Sequence, residues 1–147
     1  MKNSIKELIR LEVEAIQNIP VNDSFEKAVR LIKNYVHDIP SNGKVVLSGM
    51  GKCGQIALNI ATTLSSTGTP SVYLHPSEAQ HGDLGVLCKH DVLILLSNSG
   101  KTREIIELIT LSRILQPSVR VIVDHSILVF VRVYTSKVIN TAIVSVK

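Results

Sequence analysis

Apolar and polar positions alternate with one period near the start of the chain and another beyond it. Residues 4–17, SIKELIRLEVEAIQ, place Ile5, Leu8, Ile9, Val13 and Ile16 at helical spacing. Residues 23–36, DSFEKAVRLIKNYV, repeat that spacing with Phe25, Ala28, Val29, Ile32 and Val36. Each segment predicts an amphipathic helix. Ser4 with Glu7 has the spacing of a capping box, and Asp23 with Glu26 can cap the second helix. Pro40, Ser41, Asn42 and Gly43 end this helical arm.

From there the pattern changes to short continuous apolar runs separated by helical stretches. KVVLS (44–48), SVYL (71–74), DVLILLS (91–97) and VRVIV (119–123) read as strands. QIALNIATTLSS (55–66) and TREIIELITLSRIL (102–115) read as helices, and HPSEAQHGDLG (75–85) as a polar loop. Strands separated by helices imply βαβ units and a parallel sheet. Uninterrupted apolar runs imply strands covered on both faces. Ligands of such sheets sit at the carboxyl ends of the strands, where the glycine- and serine-rich segments of this chain fall.

The last thirty residues break the pattern. They contain no glycine or proline, although all eight glycines lie between positions 43 and 100, and they carry one acid, Asp124, against four bases. Another α/β crossover would need turn residues here.

Composition narrows the classes. The chain has 147 residues, 45% of them hydrophobic and 19% charged, as expected of one globular domain with a sizeable core. No run of 18 uncharged apolar residues predicts a membrane span, and the charged N-terminus has no signal-peptide core, so a cytoplasmic protein is expected. The net charge of +4 comes wholly from residues 101–147, with seven bases and three acids, and there are only two Phe and three Tyr. That is no nucleic-acid footprint. Cys53 and Cys88 form no CxxC unit and are expected to be reduced thiols; Cys53, near a helix start, has the position that favours a reactive thiolate.

Three loops can carry chemistry. In SGMGKCG (48–54), Gly49, Gly51 and Gly54 match a G-x-G-x-x-G turn. The dinucleotide reading requires an acid at the tip of the next strand, and SVYLHPSE offers none there. A tight strand-to-helix turn, or an anion or sugar-hydroxyl site with Lys52 as local cation, remains. In SNSGKTRE (97–104), GKT resembles the end of a P-loop, but Leu95 stands where that motif needs glycine. Ser97, Asn98, Ser99, Gly100 and Thr102 lie between a strand end and a helix start, where backbone N–H groups favour an anion and hydroxyls complete its shell. Ser99 or Thr102 could instead serve simply as N-caps. In HPSEAQHGDLG, His75, Glu78, His81 and Asp83 can all ligate metal, but their spacing matches no standard zinc pattern. Acid–base groups beside an anion site suggest proton transfer.

Together, SGMGKCGQIA, STGTPSVYLHPSEAQHGDLG and DVLILLSNSGKTREI resemble the sugar isomerase (SIS) domain of the arabinose-5-phosphate isomerase family, over about residues 4–123. The resemblance implies a flavodoxin- or Rossmann-like three-layer αβα sandwich around a five-stranded parallel sheet, here preceded by the two-helix arm. It implies a homo-oligomer, dimer or tetramer. The family reaction interconverts D-ribulose 5-phosphate and D-arabinose 5-phosphate for Kdo and capsule synthesis, with no cofactor and no metal. Neither a nucleic acid nor a membrane is an expected partner.

Carried over by position, Ser97, Ser99 and Thr102, with Asn98 beside them, resemble the phosphate-gripping residues. Gly49 and Gly51 resemble the substrate loop. Lys52 resembles the lysine that binds a substrate oxygen or developing enediolate charge. Glu78 and His81 resemble the acid and histidine of the third loop. Moving a proton between C1 and C2 needs a base that works near neutrality, and His81 is the best candidate in the chain.

The family pattern also includes later segments resembling CPLG and HPGG, which are absent here. The resulting expectation is an arm (1–43), an SIS core (44–123) and an atypical apolar tail (124–147), with a frameshift or truncation near position 124 that leaves the fold incomplete and the question of turnover open. The alternative is a non-catalytic SIS module that senses a phosphosugar.

Overall fold

The computed structural model describes residues 2–18, 23–38, 43–115, 120–124 and 132–134. Helix α1 (Lys2–Gln17) is followed by α2 (Asp23–Ile32), which continues as a π-helical turn, Lys33–His37. Because α1 begins at Lys2, Ser4 lies inside its first turn and makes no capping box with Glu7. The Glu7 carboxylate instead accepts from Arg10 at 2.7 and 3.0 Å. Asp23 does open α2, but Glu26 accepts from Arg30 at 2.6 and 3.1 Å rather than closing a cap.

The core is a five-stranded sheet with β1 (Val45–Gly49), β2 (Ser71–Tyr73), β3 (Val92–Leu96), β4 (Arg120–Asp124) and β5 (Arg132–Tyr134), in the order β2-β1-β3-β4-β5. The first four strands are parallel. Helix α3 (Lys52–Ser66) connects β1 to β2 and α5 (Arg103–Leu115) connects β3 to β4.

Side chains alternate between two layers, as strands require. Val45, Leu47, Val92 and Leu96 pack with Ala57 and Ala61 of α3 and with Val36, backed by Phe25, Ala28 and Leu31 of α2. Val46, Leu93, Leu95 and Val121 pack on the other face with Ile105 and Leu108 of α5 and with Ala79, Leu84 and Leu87. The outcome is the expected three-layer αβα sandwich.

Two features depart from expectation. The segment 75–85 is not simply a loop. Pro76–Gln80 form a short helix, α4, with proline at its start, and Asp83–Val86 form a 3-10 turn. Pro76 at the first helical position, with Glu78 in the first turn, was the available signal. At the far edge, β5 runs antiparallel to β4, pairing Val121 with Tyr134 and Val123 with Arg132. Seven positions separate β4 from β5. A parallel crossover needs a dozen or more, so only the antiparallel return is open to this chain. Apart from Asp124 and Arg132–Tyr134, the expected atypical tail lies outside the described residues, as do residues 39–42 at the end of the arm.

At the amino ends of the strands, Asp91 is fully buried. Its carboxylate accepts from the Lys44 backbone N–H at 2.9 Å, from Lys44 Nζ at 2.6 Å and from the Cys88 N–H at 2.8 Å. Gly43 lies against this cluster, where an added Cβ would overlap the carbonyl oxygens of Tyr35 and His90. Cys53 and Cys88 are free thiols. Among the described residues, no helix is long and apolar enough to cross a membrane.

Candidate active site

The strand order places a topological switch point between β1 and β3. The chain leaves β1 toward α3 on one face and leaves β3 toward α5 on the other, so a crevice opens between the two exits. Register aligns Gly49 with Leu96 and Leu96 with Asp124, which puts the ends of β1, β3 and β4 level. β2 ends at Tyr73, in register with Leu47, so the His75 loop leaves the same edge.

The first loop is a strand-to-helix turn made possible by three glycines in different ways. Gly51 has φ 55°, a left-handed backbone that side chains resist. At Gly49 a Cβ would lie 2.7 Å from the Cys53 carbonyl carbon, and at Gly54 one would lie 2.5 Å from the Gly49 oxygen and 2.7 Å from Tyr73 Oη. Strand and helix therefore touch backbone to backbone. Tyr73 donates its hydroxyl proton to the Gly49 carbonyl at 3.0 Å, and burial raises its pKa above the ordinary tyrosine value. Lys52 opens α3 and is exposed. Ser48, fully buried at the end of β1, has a hydroxyl with no partner among the described residues.

The second loop is tied into a compact turn. Ser97 is 3% exposed, and its Oγ accepts the Gly100 N–H at 3.1 Å while sharing a 3.0 Å hydrogen bond with Thr102 Oγ1. Ser99 Oγ accepts the Lys101 N–H at 3.1 Å. Gly100 has φ 63°. Simple N-capping does not describe this loop: Thr102 supplies its backbone carbonyl to Ile106 N–H in the first turn of α5, while its hydroxyl is directed to Ser97. Two hydroxyls are thereby held at the N-terminus of a 13-residue helix, the geometry that favours an anion. Asn98 and Ser99 are exposed beside them.

The third loop is looser. His75 precedes α4, with its Nδ1 buried and unpartnered and its ring edge-on to Tyr73 at 6.3 Å. Glu78, His81 and Asp83 are exposed. Among the described residues, His81 joins Glu78 only through backbone, N–H to carbonyl at 2.9 Å, and no group of three His, Cys, Asp or Glu is placed to hold a metal ion. Ser97 and Thr102 are thus in direct contact. Lys52, Glu78 and His81 share the edge without bonding one another. Sequence singled out His75 only as a possible metal ligand and Ser48 not at all; orphan polar atoms become visible only when the fold buries them.

A mainly parallel αβα sandwich with its glycine- and serine-rich turns at the switch point places the chain in the class of doubly wound α/β domains. The particular family follows from direct comparison. The SIS-domain profile matches residues 39–132, and the chain belongs to that family. Over 111 residues the chain is 44% identical to arabinose 5-phosphate isomerase KdsD of Pseudomonas aeruginosa, covering 74% of this chain and 32% of that protein. The chain thus spans about a third of the length of the curated relatives it matches. Among solved structures, a Bacteroides fragilis protein assigned as a phosphosugar isomerase involved in capsule formation superposes with TM-score 0.81 at 59% identity, covering 85% of this chain and 64% of that one. An E. coli CFT073 protein solved in complex with arabinose 5-phosphate superposes with TM-score 0.68 at 36% identity, covering 82% of this chain and 62% of that one.

Proposed function

We propose that this chain is a phosphosugar isomerase domain acting on D-ribulose 5-phosphate and D-arabinose 5-phosphate, in the cytoplasm and as a homo-oligomer. The observation that carries the reading is the Ser97–Thr102 hydroxyl pair held by the Gly100 turn at the start of α5. A phosphate there would receive hydroxyls from Ser97, Ser99 and Thr102, with the Asn98 amide beside them, and the helix dipole. The sugar then extends toward the first and third loops. Gly49 and Gly51 let the backbone approach it closely, and Lys52 stabilises charge on the enediolate oxygen. His81 moves the proton between C1 and C2, with Glu78 as the accompanying acid–base group.

One observation favours binding without turnover. A catalytic base is normally oriented by a further group, and among the described residues His81 has no side-chain partner. The sensor reading therefore stands as the alternative.

Both are tested by titrating arabinose 5-phosphate into the chain and running a coupled assay with ribulose 5-phosphate. The isomerase reading expects binding and turnover, with Ser97→Ala weakening binding about tenfold or more while stability changes by only about 1 kcal/mol. Binding without turnover would select the sensor. Equal affinity of wild type and Ser97→Ala would remove the phosphate assignment.

A further inference from the structure

Ser48 interrupts an apolar row. Val46 and Leu47 of β1 pack on opposite faces of the sheet, so Ser48 rises from the face of Val46, which α4 and α5 cover. Its neighbours on that face are Leu95 of β3, in register with it, and Leu74, which follows Tyr73. Both leucines belong to the apolar layer. Ser48 is fully buried between them, and its Oγ has no hydrogen-bond partner among the described residues. Leaving a buried hydroxyl unbonded is costly, and an alanine in the same row would carry no such cost. The next row up holds the Ser97–Thr102 pair. Ser97 lies two positions beyond Leu95, so it rises from the same face, and it is 3% exposed. Strand spacing puts the α-carbons of Ser48 and Ser97 about 8 Å apart on adjacent strands. That is too wide for one hydroxyl to bond the other, and it suits two hydrogen bonds that share a single oxygen. The pair above has few donors to spare. Ser97 and Thr102 own two hydroxyl protons, and the bond between them uses one. The Gly100 and Lys101 N–H groups are already taken by Ser97 Oγ and Ser99 Oγ.

We propose that Ser48 is a further ligand-binding residue, whose hydroxyl donates to the deepest phosphoryl oxygen of a phosphate held at the Ser97–Thr102 pair. That oxygen accepts from Ser48 below and from the pair's remaining hydroxyl proton above. It lies on the face of the sheet from which α5 starts, where the positive end of the helix favours an anion. A phosphoryl oxygen suits the position because it carries negative charge and no proton, and so accepts from several donors at once. The contact explains why a hydroxyl is kept in a row of leucines: it is unsatisfied only until the phosphate arrives. The proposal rests on the phosphate reading above. It extends the binding surface from the loops into the end of β1 itself.

Calorimetric titration of the full chain with arabinose 5-phosphate, and with inorganic phosphate by competition, tests it. Ser48→Ala should weaken both ligands by the same factor, about tenfold or more. The urea midpoint of the ligand-free variant should equal that of wild type or exceed it, because the alanine removes an unsatisfied hydroxyl. Ser48→Cys keeps the shape with a much weaker donor and should lose affinity comparably. Wild-type affinity in Ser48→Ala beside a weakened Ser97→Ala would overturn the Ser48 contact alone. So would Ser48→Cys binding as wild type does, which would make the alanine effect one of packing. A lower urea midpoint with unchanged affinity would assign the hydroxyl to a buried water and overturn the contact too. A loss for arabinose 5-phosphate but not for inorganic phosphate would overturn the phosphoryl assignment. No binding by wild type, or affinity indifferent to both Ser48→Ala and Ser97→Ala, would overturn the phosphate reading together with this one.

Discussion

The two ends of the parallel sheet treat buried polar groups in opposite ways. At the amino edge, Asp91 is saturated by three donors from Lys44 and Cys88. At the carboxyl edge, Ser48 Oγ and His75 Nδ1 are buried without partners, and three glycines replace side chains where β1 meets α3. A buried charge is tolerated only when paired, so the amino edge is closed chemistry that fixes strand positions. Unfilled polar capacity is tolerated where something else can fill it. The difference separates a structural end from the end proposed to bind the ligand within one sheet.

The sharpest way to break this comparison is at Asp91. Asp91→Ala leaves the Lys44 ammonium and two backbone N–H groups without their acceptor. Breaking a buried pair in this way costs about 3–5 kcal/mol. Urea denaturation should show a loss in that range, with arabinose 5-phosphate binding retained wherever the variant remains folded. A loss below about 1 kcal/mol would mean that the cluster does not anchor the sheet.

Gly54→Ala strikes the other edge. Its Cβ would press on the Gly49 oxygen at 2.5 Å and on Tyr73 Oη at 2.7 Å. Overpacking of this kind costs about 1–3 kcal/mol. Because the strain falls in the Gly49–Gly51 turn, ligand affinity should fall beyond what the unfolded fraction explains. Calorimetric titration below the unfolding temperature separates the two. Unchanged affinity would show that the turn's shape does not matter to the ligand.

Much of this architecture was legible in the sequence because burial on both faces writes itself as uninterrupted apolar runs. VVLSG and VLILL became β1 and β3 within a residue of the expected bounds. The switch-point loops were legible because glycine and serine have few other reasons to cluster after such runs. Helix α4 was not, since five residues are too few to show a helical period. The Ser4–Glu7 spacing misled because a capping box is defined by where the helix starts, and α1 starts earlier. The Lys44–Asp91 pair could not be read at all: 47 positions separate its partners, and only the sheet brings them together. In the site, residue types were legible while contacts were not. Nothing local distinguishes Thr102 as a cap from Thr102 as the partner of Ser97, because the choice depends on how β3 delivers Ser97 to the turn.

The smallest expected effect is also the most direct check that the carboxyl edge is held by few ties. Tyr73 Oη to the Gly49 carbonyl is one such tie between β2 and the first loop, and Tyr73→Phe removes it while keeping the ring. At neutral pH the loss should be about 1 kcal/mol, that of a single neutral hydrogen bond. The pH dependence carries more information. Burial disfavours the phenolate, so Tyr73 keeps its proton to higher pH in the folded chain than in the unfolded one. Its contribution is therefore complete below the ordinary tyrosine range near ~10 and is lost as pH rises through the higher folded value. Denaturation midpoints followed from neutral to strongly alkaline pH should fall more steeply for wild type than for Tyr73→Phe. Identical alkaline slopes would mean that the phenol is not held in the protonated, donating form, and that the first loop keeps its shape through its glycines alone.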